Sequence, residues 1–215
     1  MDQTSLSSKN VQVAAQITSE EDLFAPCMVG TLESQFLKMY TKTVRAERIL
    51  DVGTFTGMSA IAFAEGALAS GKSNAHVDTL EFDEKTATAA QKIFDHCDEK
   101  VGKAIALHQG DAIAWMEALA DQVDGPTYDI IFIDADKENY IAYYDLAMGG
   151  KNGRRPLLAE HGVILADNSL SALLYDQGDF RRVALHQFNQ YVKNDDRVEQ
   201  VVMTMREGIT MISRK

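Results

Sequence analysis

Cysteine is scarce in this chain of 215 residues. Cys27 and Cys97 stand far apart, outside any C-x-x-C pair and without a histidine at metal-ligand spacing. This argues against a disulfide framework and a thiolate metal site, and nothing in either neighbourhood marks an activated nucleophile. Long apolar runs are missing too, and none approaches the roughly 18 residues of a membrane span. The opening MDQTSLSSKNVQVAAQ has no basic segment followed by an apolar core, so no secretory signal is expected and the expected location is cytoplasmic. Positive charge is short: 21 Lys and Arg against 32 Asp and Glu leave a net charge of -11. An acidic surface repels phosphate backbones and anionic lipid, so neither nucleic acid nor a membrane is an expected partner. Arg154-Arg155 and Arg181-Arg182 are the visible basic pairs, and ordinary mixed-charge surface is their expected place. No repeat, low-complexity tract or linker divides the chain, so one domain over 1–215 is expected.

What is present is alternation. Nearly continuous apolar runs at Arg48–Gly53, Val77–Phe82, Ile105–Asp111, Tyr128–Ala135 and Gly162–Asn168 read as strands buried on both faces. Helical patterns at Gly57–Ala69, Glu84–Cys97, Ala112–Gln122 and Glu138–Met148 separate them. Repeated β-α-β units imply right-handed crossovers and a doubly wound α/β fold. The end departs from this rhythm. Phe180–Lys193 reads as a helix, and Val198–Met205 and Ile209–Ser213 read as a hairpin about Arg206-Glu207-Gly208. The expected architecture is a seven-stranded, mostly parallel sheet with an antiparallel last strand. Residues 1–45 are expected to form a mobile polar segment and then a helical cap, with Leu23–Thr43 as the helix. The opening 20 residues show no firm periodicity. Residues 1–22 and Ser169–Asp179 are the segments expected to close as a lid. Gly149–Pro156 is expected to be an irregular loop.

Three constellations carry chemistry. In Asp51-Val52-Gly53-Thr54-Phe55-Thr56-Gly57 a strand runs into a glycine-bearing turn that opens a helix. Gly53 permits close backbone approach, and the helix start offers free N–H groups to an anionic ligand group. The spacing is not G-x-G-x-x-G, and a plain tight turn would read the same. Glu81, ending the second strand, is placed to accept hydrogen bonds from two ribose hydroxyls, although a helix-capping acid would also fit. Asp111-Ala112 follows the third strand, where an adenine edge would lie, and Asp111 could equally cap the next helix. The third set is Asp134-Ala135-Asp136-Lys137 with Asp167-Asn168, at the ends of the fourth and fifth strands. Two carboxylates and an amide oxygen make a hard set suited to Mg²⁺, with Mn²⁺ or Ca²⁺ also accommodated. The alternative is helix capping and ion pairing with Lys137.

With these motifs in view, residues 25–215 resemble the caffeoyl-CoA and catechol O-methyltransferase family, metal-dependent class I methyltransferases with a Rossmann-like fold. The matching stretches are ILDVGTFTGMSAIAFA, TLEFDEKTA, YDIIFIDADKENY, GVILADN, FNQYVKNDDRVE and EGITMISRK. The resemblance implies S-adenosyl-L-methionine contacts from Val29, Gly53, Ser59, Glu81 and Ala112, with Asp111 and Asp134 counted beside them. It implies metal ligation by Asp134, Asp167 and Asn168, catalysis by Lys137 as base with Asp134, and a homodimer. The implied acceptor is a catechol or related phenol. Met58 stands where the family often has an aromatic residue, loop 149–156 is longer than usual, and Ser169–Asp179 lacks the common Trp. The acceptor is therefore not fixed by membership. A nicotinamide-dependent oxidoreductase would explain Gly53 and Glu81 but leave the Asp134, Asp167 and Asn168 set without a purpose. A non-catalytic cofactor-binding protein would not need Lys137.

Overall fold

The computed structural model describes residues 4–150, 153–173 and 175–215. Lys151 and Asn152 of the glycine-rich loop, Leu174 of the second expected lid segment, and residues 1–3 of the first lie outside the described residues. The chain forms two compact units, Met1–Asp111 and Ala112–Lys215.

The first unit contains α1 (Lys9–Glu20), α2 (Thr31–Val44), β1 (Arg48–Val52), α3 (Met58–Ala69), β2 (His76–Glu81), α4 (Glu84–His96), α5 (Glu99–Lys103) and β3 (Ile105–Gln109). The strands are parallel, with Val52 opposite Leu80 and Glu81 opposite Gln109. Helix α1 stands where no periodicity was legible. Ser8 caps it by accepting from Val11 N at 3.2 Å. Its buried stripe is Asn10, Val11, Ala14, Ile17 and Thr18. Two of these five are polar, so an apolar 3.6-residue period never develops in the sequence. The polar positions find partners inside: the Thr18 and Thr56 hydroxyls are hydrogen-bonded at 2.9 Å, and Asn10 Nδ2 donates to Glu65 Oε1 at 2.8 Å. Lys38 Nζ donates to the other oxygen of Glu65 at 2.8 Å, so one buried carboxylate ties α1, α2 and α3 together.

The expected helix over Leu23–Thr43 is corrected to a 3₁₀ turn at Ala25–Cys27 followed by α2 from Thr31. Pro26 favours a helix start and cannot donate within one, and Gly30 is the N-cap of α2. The turn before α3 depends on Gly57, the N-cap, at φ 83°. A Cβ there would lie 2.3 Å from the Phe94 ring of α4. We expect Gly57→Ala to lower stability by about 2–4 kcal/mol, from left-handed strain and overpacking. The thermal midpoint should then fall by roughly 5–15 °C, and an unshifted melting curve would refute this account of the turn.

The second unit contains α6 (Ala112–Ala120), β4 (Tyr128–Ile133), α7 (Tyr140–Met148), β5 (Leu158–Ala166), α8 (Phe180–Lys193), β6 (Val198–Met203) and β7 (Ile209–Arg214). Parallel β4 and β5 pair with Ile133 opposite Ala166, and β7 runs antiparallel to both β5 and β6. Strand β5 begins four residues earlier than its apolar run, because Glu160 and His161 are exposed and break the pattern. A 3₁₀ turn at Lys137–Asn139 precedes α7, so the helix starts at Tyr140 rather than Glu138. The basic pair of loop 149–156 is structural. Arg155 donates to the carbonyls of Leu119, Gln122, Pro126 and Pro156, the first of them in the last turn of α6. Arg154 pairs with Glu117 and Asp121. The seven strands form one sheet in the order β3-β2-β1-β4-β5-β7-β6 with β7 antiparallel, the class I methyltransferase fold.

Candidate active site

In the first unit the chemistry gathers beyond β1 and β2. Gly53 N and Thr54 N both donate to Leu80 O, at 3.1 and 3.0 Å, so the glycine loop is pinned to the end of β2. Gly53 takes φ 106°, a conformation that lets the chain leave the strand sharply. Glu81 follows Leu80, and its Oε2 accepts from Phe55 N at 2.7 Å while Oε1 accepts from Asp83 N at 2.9 Å. Burial raises the Glu81 carboxyl above its ordinary value, and the two backbone donors oppose that rise. The result is a half-buried acceptor held against the loop.

Ser59, on the first turn of α3, is buried and donates to Asp51 Oδ2 at 3.0 Å. Thr79 donates to the same oxygen at 2.8 Å, and Thr54 and Thr79 hydroxyls lie 2.7 Å apart. Because the Thr79 proton is committed to Asp51, Thr54 is the donor to Thr79. Asp51 is thus a fully buried carboxylate serving as the hub of a hydroxyl network beneath the loop. No role for it follows from the glycine motif alone. A carboxylate inside the otherwise apolar stretch ILDV is the available signal. Val29 is buried just before α2, Asp111 is exposed at the end of the first unit, and Ala112 opens α6. Glu81→Ala should weaken S-adenosylhomocysteine binding by roughly 1.5–3 kcal/mol, the worth of charge-assisted hydrogen bonds. If Glu81 accepts from the ribose hydroxyls of that ligand, the binding form is the carboxylate; its pKa is raised, so affinity should fall as pH drops, beginning above the ordinary carboxylate range. Calorimetry giving the same affinity for the variant would remove Glu81 from this role.

In the second unit the Ile133–Ala166 register puts Asp134 and Asp167 side by side at the carboxyl ends of β4 and β5, and Asp167 N donates to Ile133 O at 3.0 Å. Asp167 and Asn168 are buried. Asn168 adopts φ 61°, a left-handed conformation that asparagine tolerates better than most residues. Its amide nitrogen donates to Asp167 Oδ2 at 3.2 Å and to Glu207 Oε2 at 2.7 Å. Asn189 of α8 donates to Ser169 O at 2.8 Å and braces the segment that follows. Lys137 Nζ donates to Asp134 Oδ1 at 3.0 Å and to Tyr140 Oη at 2.8 Å. Tyr140 is fully buried, edge-on to Phe188 of α8 with ring centroids 5.4 Å apart. Burial, then the negative charges of Asp134 and Asp167, hold its phenol well above the ordinary value, so it stays protonated.

Asp134, Lys137, Asp167 and Asn168 thus come together, as do Gly53, Ser59 and Glu81 in the first unit. Among the described residues, no three His, Cys, Asp or Glu side chains are grouped to hold a metal ion. The set here is of another kind, two carboxylates and an amide. Its chemistry fits a hard divalent cation, since the Asn168 amide nitrogen is taken by carboxylates and its oxygen remains as a donor. Tyr140, Asn189 and Glu207 were not singled out from sequence. Their roles depend on contacts 3 to 39 residues away along the chain.

Comparison with known proteins agrees with this architecture. Residues 2–215 match the O-methyltransferase family model. Caffeoyl-CoA O-methyltransferase 2 of Eucalyptus globulus is 31% identical over 191 residues, covering 85% of this chain and 72% of its own length. The O-methyltransferase ankF of Aspergillus thermomutatus is 29% identical over 203 residues, covering 87% and 79%. The crystal structure of an O-methyltransferase from Bacillus cereus, solved with S-adenosylhomocysteine, superposes with a TM-score of 0.84 at 24% identity, over 100% of this chain and 94% of that one. By the near-complete family match and these relatives, the chain belongs to the O-methyltransferase family of S-adenosylmethionine-dependent enzymes.

Proposed function

We propose that this enzyme methylates one hydroxyl of a catechol-like, vicinal dihydroxy aromatic small molecule with the assistance of a divalent cation, Mg²⁺ in the first instance. The observation that carries the proposal is the pairing of Asp134 with Asp167-Asn168 at neighbouring strand ends, with Lys137 hydrogen-bonded to the first. Names of relatives as caffeoyl-CoA O-methyltransferases support a phenolic acceptor. Gly53 and Glu81 bind the methyl donor, Glu81 accepting from its ribose hydroxyls. Val29, Ser59, Asp111 and Ala112 complete that binding region. Asp134, Asp167 and Asn168 would hold the cation by oxygen. When bound, the cation would lower the pKa of the acceptor hydroxyl and fix the acceptor's orientation. Lys137, kept in place by Tyr140, accepts the hydroxyl proton at Nζ when it stands as the neutral amine and becomes the ammonium. The methyl group is already activated on sulfur, so alignment of the oxygen in line with the C–S bond is the protein's main task. The protein acts as a cytoplasmic homodimer forming a single catalytic domain.

A mass-spectrometric screen of vicinal diols and single phenols with S-adenosylmethionine and Mg²⁺ tests the reading. Methylated vicinal diols, with little product from single phenols, are expected. Equal methylation of both classes would reject a chelating acceptor.

A further inference from the structure

Glu207 lies in the turn between β6 and β7, far in sequence from the acidic motifs. Its Oε2 accepts from Asn168 Nδ2 at 2.7 Å and from Ser171 Oγ at 3.2 Å. Its own carbonyl accepts from Leu170 N at 2.7 Å, and the Gly208 carbonyl accepts from Ser169 N at 2.9 Å. Thr210 Oγ1 donates to Ser169 Oγ at 2.6 Å. The turn and the start of β7 are therefore joined to residues 168–171, by backbone and side chain together.

The consequence concerns which end of the Asn168 amide is offered. An ionised carboxylate only accepts, so it must face the NH₂ end of the amide. Asp167 Oδ2 engages the same nitrogen at 3.2 Å. With its nitrogen committed to two carboxylates, the amide turns its oxygen the other way. Without Glu207, rotation about the last side-chain bond would exchange two atoms of nearly equal size. An NH₂ group pointed at a cation is no ligand.

We propose that Glu207 is a positioning residue that fixes the Asn168 amide so that its oxygen is presented to a divalent cation. The inference rests on the metal reading of Asp134, Asp167 and Asn168. It assigns a supporting role to a residue that does not itself ligate, the kind of outer hydrogen bond that orients ligands at metal sites.

The test is Mn²⁺ binding, followed by the electron paramagnetic resonance of free Mn²⁺, on the full chain. Wild type, E207Q, E207M and E207A are compared, with S-adenosylhomocysteine affinity measured beside it as a check on folding. E207M keeps the side-chain length without a strong acceptor, and E207Q keeps an acceptor oxygen. Mn²⁺ affinity should fall about 10- to 100-fold in E207M and E207A, and E207Q should recover most of it. S-adenosylhomocysteine should bind unchanged in whichever of E207M and E207A is read. The activation constant for the metal should rise while kcat at saturating metal stays close to wild type. If wild type binds Mn²⁺ and the folded E207M or E207A binds it equally well, the inference is overturned and the metal reading stands. If wild type binds no Mn²⁺, the metal reading falls and the inference with it.

Discussion

Asp167→Ala should bind S-adenosylhomocysteine as wild type does and lose about a hundredfold or more in turnover at limiting Mg²⁺, the effect of about 3 kcal/mol of lost cation stabilisation. Asp167 is buried at the carboxyl end of β5, beside Asp134 at the end of β4. Its loss would take one charged oxygen ligand from the proposed set of three, and a hard cation has no softer substitute to turn to. Cofactor affinity should survive because the groups assigned to it, Gly53 and Glu81, are organised by β1, β2 and the glycine loop. Full turnover by Asp167→Ala at limiting Mg²⁺ would return the acidic pair to a structural role.

The parts of this site that were legible in the sequence are those whose chemistry sits in consecutive residues at strand ends. The runs RILDV and YDIIFI are buried almost throughout, so β1 and β4 and the loops that follow them could be located from hydropathy alone. Helix α8 was read to the residue, because its apolar positions repeat at helical spacing and Asp179 caps it. Helix α1 escaped because Asn10 and Thr18 share its buried stripe, and α5 because five polar-rich residues carry no period. Ser59 was expected to touch the cofactor; its hydroxyl donates to Asp51, and that link joins residues on a strand and a helix that no local pattern connects. The bracing of Asn168 by Glu207 spans 39 positions and depends on β7 folding back antiparallel beside β5. Such contacts are properties of the sheet, not of a motif.

Lys137→Ala should lower kcat by about 10²- to 10⁴-fold, the range for loss of a general base. Metal and cofactor affinity should be retained. The amino group of Lys137 is mostly buried, donating to Asp134 and to the hydroxyl of Tyr140, and the latter is itself packed edge-on against Phe188. A lysine used only as an ion-pair partner would show a different pattern: lower thermal stability and little change in kcat. The two outcomes separate through steady-state kinetics read beside a melting curve. Raising the pH should partly rescue the variant if Nζ is the proton acceptor, because an acceptor hydroxyl already ionised needs no base, and for the same reason an acceptor with a more acidic hydroxyl should lose less on the substitution. A kcat for Lys137→Ala close to wild type would assign proton removal to another group.

The most direct measurement is methyl transfer from S-adenosylmethionine to a catechol, followed by mass spectrometry while Mg²⁺ is removed with excess chelator and then restored. The geometry of Asp134, Asp167 and Asn168 predicts product with Mg²⁺, loss of product in chelator, and recovery when Mg²⁺ is returned in excess. Methylation at full rate in excess chelator would contradict metal assistance and leave an O-methyltransferase that activates its acceptor with protein groups alone.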